Sequence, residues 1–343
     1  MKWLLTYITS SIGKKQVMGA AGLLLVLFVL GHMVGNLQLV LPFPPDPLEA
    51  QAAYNAYSNL LTKFKPALYY ATIAGLAVIF MVHMYFAVAL KLQNLKARGT
   101  ARYAVEARKG KKQFPTFTMI WSGLAIAAFI IWHILTVRNG AYYYYINPEV
   151  ADGAVVRDMW LTTVEVLGNP ISTVFYMIVV VVLGFHTWHA ISSAFQTMGI
   201  NHQKWTPIID MMGIAYCVVV AVGYGATAAG SYAVVNFDEK TIAVIEQVKN
   251  PSYQKALEAL SKRPLEEQKM AAKLIAKNPE RAKFIVEREG LHRPSFEKGN
   301  FHDKRKKFHK KGGHQRPVKQ QEPARNLEEN AEQLEIETEG GEE

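Results

Sequence analysis

Five long runs of apolar residues are the feature that most constrains what this 343-residue chain can fold into. They cover about residues 17–41, 66–90, 117–137, 171–195 and 207–234, and none has Lys or Arg in its middle. A helix needs roughly 20 apolar residues to cross the ~30 Å of hydrocarbon in a bilayer. None of the runs alternates polar and apolar residues as a barrel strand does. The sequence therefore predicts an all-α integral membrane protein, with a bundle of five transmembrane helices over residues 1–235.

The remaining residues differ sharply in composition from this bundle. Residues 1–235 hold 16 of the 38 Lys and Arg residues and 8 of the 28 Asp and Glu residues, which leaves a net charge of +8 there and +2 in the tail. Stretches such as 255–260 and 265–277 predict short helical segments over 236–290. Blocks of opposite charge over 291–343 predict a disordered tail. Because most of the positive charge lies between spans, it indicates membrane topology and not a nucleic-acid partner.

The basic residues also predict an orientation. Twelve of the sixteen lie on the side of the membrane that holds the N-terminus, eight of them between the second and third spans. Cytoplasmic connections carry an excess of Lys and Arg, so we expect the N-terminus in the cytoplasm of a bacterial inner membrane. Five spans then place the C-terminal tail in the periplasm.

Five histidines lie within the predicted spans: His32, His83, His133, His186 and His189. Ionisable residues inside a membrane are costly and usually functional. At a rise of about 1.5 Å per residue, His32 and His133 lie ~22 and ~24 Å from the cytoplasmic ends of their spans, toward the outer face. His83 and His186 lie ~25 and ~22 Å from the outer ends of spans that run the other way, toward the cytoplasmic face. The depths therefore define an outer pair and an inner pair.

Two histidines from facing helices at one depth can supply both axial ligands of a haem iron. We predict that His32 and His133 bind an outer haem and that His83 and His186 bind an inner one, although a single membrane histidine can equally hydrogen-bond a neighbouring helix. His189 is a second candidate for the inner ligand, or a contact for a haem propionate, a quinone or another helix.

With Cys217 as its single cysteine, the chain cannot hold a four-cysteine iron–sulfur cluster. Flavin and iron–sulfur chemistry would belong to another subunit.

Several motifs follow one another in the order of a known family. Ser10-Ser11-Ile12-Gly13-Lys14-Lys15, then Gly22, then His32-x-x-Gly35-Asn36-Leu37 resemble the start of the dihaem cytochrome b (b558-type) membrane anchor subunit of succinate dehydrogenase/fumarate reductase. Ala53-Tyr54-Asn55-Ala56-Tyr57, Ile120-Trp121-Ser122-Gly123, Phe185-His186 and Ala194-Phe195-Gln196-Thr197-Met198-Gly199 are similar to its later parts. The resemblance covers residues 1–235 and stops before the tail.

The resemblance implies an anchor that binds two b haems, with a flavoprotein subunit and an iron–sulfur subunit docked on its cytoplasmic face. This chain would not itself act on succinate but would be the quinone-reactive subunit, with menaquinone as the expected quinone. The ligand position of the family in the fourth helix corresponds to His186 and not to His189. Some members carry a glutamate two residues earlier, which serves a proton path. Gly184 stands at that position here, which argues against such a path and favours succinate oxidation.

Asn36, Gln38 and Glu49 are predicted quinone contacts at the outer ends of the first two spans, although ordinary interfacial polar residues give the same pattern. Membrane lipid and a homo-oligomeric complex are further expected partners. Two alternative functions stay open. One is the dihaem anchor of another quinone-linked respiratory enzyme, such as a nitrate reductase or a formate dehydrogenase. The other is a non-redox membrane protein whose histidines serve packing or substrate binding.

Overall fold

Five helices of the computed structural model are long and apolar enough to cross a membrane. They are α2 (Ser11–Asn36), α4 (Pro66–Arg98), α5 (Phe114–His133), α7 (Pro170–Thr197) and α8 (Trp205–Phe237). The structure describes residues 2–41, 46–63, 66–99 and 114–278, and the charged tail predicted over 291–343 lies outside these ranges. The prediction of an all-α protein with five candidate spans is confirmed.

Local signals in the sequence set the ends of these helices. The Ser10 side chain accepts a hydrogen bond from the Gly13 amide and so caps α2. Asn169 caps α7 in the same way, with Pro170 in the first turn. α4 continues eight residues past the predicted end at residue 90, because 91–98 contains polar helix formers that extend the helix beyond its apolar part. It ends before Gly99, whose positive φ of 63° suits a helix C-terminus.

The bundle is assembled around α2, α7 and α8. α7 packs along α8, and α2 packs on α4, α7 and α8. α2 and α8 run parallel, since the hydroxyls of Tyr216 and Tyr224 donate to the main-chain oxygens of Val26 and Val29, at 2.8 and 2.9 Å. α5 packs mainly on α7 and makes sparse contacts with α4. The contact between α4 and α5 is therefore looser than those that α2, α7 and α8 make with one another.

On the side opposite the N-terminus, the ends of the spans are covered by α3 (Pro47–Lys63), which follows α2, and by α6 (Met159–Gly168), which precedes α7. Their apolar faces form a buried cluster that includes Leu39, Val40, Tyr54, Trp160 and Leu161. These two short helices therefore form a well-packed layer above the ends of the spans.

Three further helices, α9 (Glu239–Lys249), α10 (Pro251–Ser261) and α11 (Leu265–Lys277), follow the last span. They lie in the region where the sequence predicts short helical segments. α10 and α11 pack on a loop between α5 and α6 that contains a two-stranded antiparallel ladder, β1 (Tyr144–Tyr145) with β2 (Val156–Arg157). No residue pattern in the sequence predicted this ladder. At Gly153, with φ 78°, a β-carbon would lie 3.1 Å from the Cα atom of Lys269, so glycine allows α11 to approach the loop closely.

At the other side of the bundle, the short helix α1 (Lys2–Thr9) precedes α2. It is joined to α2 by a hydrogen bond from the Tyr7 hydroxyl to the side-chain oxygen of Gln16.

Candidate functional site: two pairs of membrane histidines

The predicted outer pair comes together between α2 and α5. The rings of His32 and His133 have centroids 6.1 Å apart and are nearly perpendicular, at 81°. Each histidine has a phenylalanine one turn earlier on its own helix. Phe28 stacks on His32 at 5.4 Å, and Phe129 stacks on His133 at 5.6 Å. The pair is therefore flanked by aromatic rings, and the Asn36 amide nitrogen lies 3.3 Å from both ring nitrogens of His32.

A hydrogen bond and a change of helical pitch fix the orientation of His133. Its Nδ1 atom lies 2.8 Å from the hydroxyl of Tyr176 on α7. The chain after it forms a π-helical turn over Ile134–Arg138, a feature often found at functional sites. Arg157 of β2 donates to the main-chain oxygens of Arg138 and Ala141, at 2.5 and 2.8 Å, and so satisfies carbonyls at the end of that turn.

On the inner side, His83 of α4 packs against the first half of α2. Its Nδ1 atom is 3.1 Å from the main-chain oxygen of Met18, and a β-carbon on Gly22 would lie 3.2 Å from its ring. A carbonyl oxygen can only accept, so the proton of the neutral imidazole is on Nδ1 and the lone pair is on Nε2. Gly22 precedes His32 by ten residues. The inner pair, at the level of Gly22, and the outer pair, at the level of His32, are therefore ~15 Å apart along the axis of α2.

His186 of α7 has a matching environment on α5. Its Nδ1 atom lies 2.9 Å from the hydroxyl oxygen of Ser122, and a β-carbon on Gly123 would be 3.5 Å from its ring. It lies within electrostatic range of His83. The second predicted pair is therefore also brought toward one region of the bundle.

Three of the four histidines share one arrangement. His83, His133 and His186 each have Nδ1 beside a hydrogen-bonding oxygen, and in the described part of the chain their Nε2 atoms have no such partner. Metal-binding histidines commonly engage the second ring nitrogen in this way, which fixes the tautomer and the ring orientation. Among the described residues no three or more His, Cys, Asp or Glu side chains cluster as a metal site would need.

The residues predicted to contact quinone occupy different environments. Asn36 is 8% exposed; its amide nitrogen donates to the His32 carbonyl at 2.7 Å, and its amide oxygen accepts from the Tyr54 hydroxyl at 3.1 Å. Burial raises the pKa of Tyr54 to about 12, so this hydroxyl keeps its proton. Gln38 is half-buried beyond the end of α2, whereas Glu49 is exposed on α3 and makes no hydrogen bond to Asn36 or Gln38. Asn36 is thus the member of the set that lies at the outer pair.

His189 lies three residues after His186 on α7 and is within electrostatic range of it. It is within electrostatic range of Asp210 on α8, and Asp210 accepts a hydrogen bond from the Ser192 hydroxyl. Asp210 could not be identified from the sequence. The way α7 and α8 pack decides which of their side chains meet, and the sequence does not reveal that packing. Gly184 is buried against α8, where a β-carbon would lie 2.9 Å from the sulfur of Cys217. Close packing of α7 on α8 therefore accounts for the glycine at this position.

A buried polar cluster links the two short helices that cover the outer pair. Asp158 caps α6 by accepting from the Leu161 amide, and it also accepts from the side-chain nitrogens of Gln51 and Asn55 on α3, at 2.6 and 2.9 Å. The carboxyl group is completely buried. Burial raises its pKa to about 6, although hydrogen bonds from Leu161, Asn55 and Gln51 oppose the shift. No sequence pattern predicted a role for this aspartate, which lies more than 100 residues from its α3 partners.

Comparisons of the chain with models of known protein families, with curated proteins and with solved structures found no significant match. The resemblance of its motifs to the dihaem anchor family therefore stays a prediction.

Proposed function

We propose that this chain is the dihaem cytochrome b membrane anchor of a succinate dehydrogenase/fumarate reductase complex, passing electrons between an iron–sulfur subunit and a membrane quinone. The observation that carries the proposal is the 6.1 Å separation of the His32 and His133 rings, contributed by two different membrane helices. Two imidazoles at this separation, on different membrane helices, could hold a haem iron between them.

The residues around the histidines fit a pair of b haems. A haem with histidine at both axial positions supplies one-electron oxidation and reduction and leaves no position open for oxygen. His32 and His133 would hold the outer group, and His83 and His186 the inner one. The carbonyl of Met18 holds His83 in the tautomer that presents Nε2. Ser122 orients the ring of His186, and Tyr176 orients the ring of His133. Gly22 and Gly123 leave room for the inner imidazoles to lie against the neighbouring helices.

With haems at both the inner and the outer histidine pair, the chain would carry electrons across part of the membrane. The two pairs lie ~15 Å apart along α2, about half the hydrocarbon thickness of a bilayer. The distribution of basic residues supports a cytoplasmic N-terminus, so the inner pair would face a flavoprotein subunit and an iron–sulfur subunit in the cytoplasm. The outer pair would serve the quinone, with menaquinone the one that the family resemblance suggests. Asn36, which is hydrogen-bonded to the His32 carbonyl and to Tyr54, would contact a polar group of the quinone on that side.

Haem stoichiometry of single variants tests the proposal. The purified chain, expressed with sufficient haem supply, should contain two haem b per polypeptide and show the optical and electron paramagnetic resonance spectra of two low-spin centres. His32→Ala and His133→Ala should each remove the same spectral component, and His83→Ala and His186→Ala should each remove the other. His189→Ala is the matched control and should retain both.

Other outcomes decide between the candidate functions. If no variant or wild-type preparation binds haem, the cytochrome assignment is wrong and a non-redox membrane protein is favoured. If His32→Ala and His133→Ala leave both haems in place, other residues are the haem ligands, as expected for a different quinone-linked anchor. Copurification of a flavoprotein and an iron–sulfur subunit, with succinate-dependent reduction of the haems, distinguishes the succinate complex from other respiratory enzymes.

A further inference from the structure

A polar groove of about 400 Å³ lies between the start of α2 and the end of α7, away from the four paired histidines. Its lining residues supply one ammonium group, two hydroxyls and two carboxamides: Ile12, Lys15, Ser193, Gln196, Thr197 and Asn201. None of these residues carries a carboxylate. One turn deeper, a β-carbon on Gly19 would touch Ala194 at 3.5 Å, so the two helices close the groove toward the membrane interior.

Exposed aromatic residues place this groove at the level of the lipid headgroups. Trp3 of α1 is 72% exposed, and Trp205, at the start of α8 on the same side of the bundle, is 59% exposed. Tyr7 of α1 is also exposed. Tryptophan and tyrosine concentrate at the interface between hydrocarbon and water. The groove therefore opens where phosphate groups of the membrane lie.

The charges within the groove favour an anion. Lys15 forms no ion pair with any described residue, and the hydroxyl of Ser193, which is exposed, makes no hydrogen bond within the same ranges. The amide nitrogen of Gln196 donates to the Ser192 hydroxyl at a long 3.3 Å. An ammonium group with nearby hydroxyl and amide donors matches the oxygens of a phosphate.

We propose that this groove binds the phosphate of an anionic phospholipid headgroup. A zwitterionic headgroup would bring its own cation beside Lys15, whereas an anionic one leaves a net negative charge that the lysine neutralises. Basic pockets between membrane helices bind anionic headgroups by this mechanism. The groove contains none of the proposed haem ligands, so the inference does not depend on the proposed function.

Thermal unfolding in detergent, followed by intrinsic fluorescence, tests the site with three probes at equal concentration: phosphatidylglycerol, phosphatidylcholine and inorganic phosphate. Phosphatidylglycerol should raise the unfolding temperature, and the other two should have little effect. Native mass spectrometry should show one retained phosphatidylglycerol. Lys15→Gln should weaken its binding about fivefold, the effect expected from one lysine beside an anionic headgroup.

Lys14→Gln is the matched control, because it removes the same charge from the neighbouring residue that does not line the groove. It should change phosphatidylglycerol affinity by less than twofold, and both variants should unfold as the wild type does when no lipid is added. If Lys15→Gln and Lys14→Gln lower phosphatidylglycerol affinity equally, the effect comes from general surface charge and the proposal is overturned. Equal stabilisation by phosphatidylcholine would also overturn the proposal. Saturable binding of inorganic phosphate in the absence of phosphatidylglycerol would overturn it as well, because the ligand would then be a free anion.

Discussion

The hydroxyl of Tyr176 on α7 lies 2.8 Å from the Nδ1 atom of His133 on α5. This contact couples two helices at the level of the outer histidine pair, and it engages the ring nitrogen that a metal would leave unused. In the proposed cytochrome, Tyr176 orients the ligand and tunes its basicity without touching the iron.

Tyr176→Phe removes this hydrogen bond and keeps the ring. If Nδ1 donates to the tyrosine oxygen, the bond makes the imidazole a stronger electron donor and stabilises the oxidised iron. We therefore expect the variant to retain two haems while the outer midpoint potential rises by up to about 60 mV, a factor of ten for a one-electron couple. Redox titration measures the change. An unchanged outer potential together with an altered inner one would contradict the assignment of His133 to the outer centre.

The five spans were predictable because they depend on local composition: each apolar run is long enough on its own to identify a membrane helix. The depth sorting of the four histidines also required no more than sequence position and helix rise. The hydrogen-bond partners did not follow from the sequence. Met18 contributes a main-chain oxygen, which no side-chain pattern records, and Tyr176 meets His133 because of how α5 is rotated against α7.

The layer above the outer ends of the spans was missed for a related reason. Asp158 and Asn55 are separated by more than 100 residues, and short polar helices such as α3 lack a strong apolar signal. The ladder between Tyr144–Tyr145 and Val156–Arg157 has two residues in each strand. Strands this short depend on the packing of α10 and α11 upon them, and a local sequence pattern does not reveal that packing.

Gly22→Leu should disrupt the inner site selectively. A β-carbon at this position would already lie 3.2 Å from the His83 ring, so a leucine would push the imidazole away from the Met18 carbonyl. We expect loss of the inner haem with the outer one retained, as measured by haem content and spectra. Gly75→Leu is the control in the middle of α4, where a β-carbon meets no atom within 4 Å. Loss of the inner haem in both variants would mean that the effect does not come from the His83 contact.

Asp158 predicts a pH dependence of stability. Its pKa is raised from 3.8 to about 6, so the folded chain holds this proton more tightly than the unfolded chain does. The free energy of unfolding should therefore fall by about 3 kcal/mol in total as the pH rises from below 3.8 through about 6, and this contribution should level off once the pH is about one unit above the folded pKa. Asp158→Asn, which can still cap α6, should abolish this part of the dependence. Unfolding temperatures of both proteins between pH 4 and 8 test it, and an identical pH profile would be evidence against the buried carboxyl as its source.

Gln268 on α11 should control the stability of the loop before α6. Its side-chain oxygen accepts from the Val155 amide at 2.8 Å, and its nitrogen donates to the main-chain oxygen of Arg263 at 2.7 Å. Gln268→Leu leaves buried polar groups unpaired, at a cost of about 2 kcal/mol. Hydrogen exchange of the Val155 amide should accelerate roughly 30-fold, the equivalent of that cost. Lys273→Gln, at an exposed position of the same helix, should leave the rate unchanged, and equal acceleration in both would point to general loosening of α11 instead.

The hydrogen bond between Gln268 and Val155 also has a consequence for biosynthesis. The two residues are 113 positions apart, and all of α7 and α8 lies between them. The Val155 amide therefore cannot reach this partner until both of the last two spans have been synthesised and α11 has followed them to the same side. A nascent chain halted after α8 would have its membrane helices but an unfinished loop, so this loop closes only after the last two spans have been made.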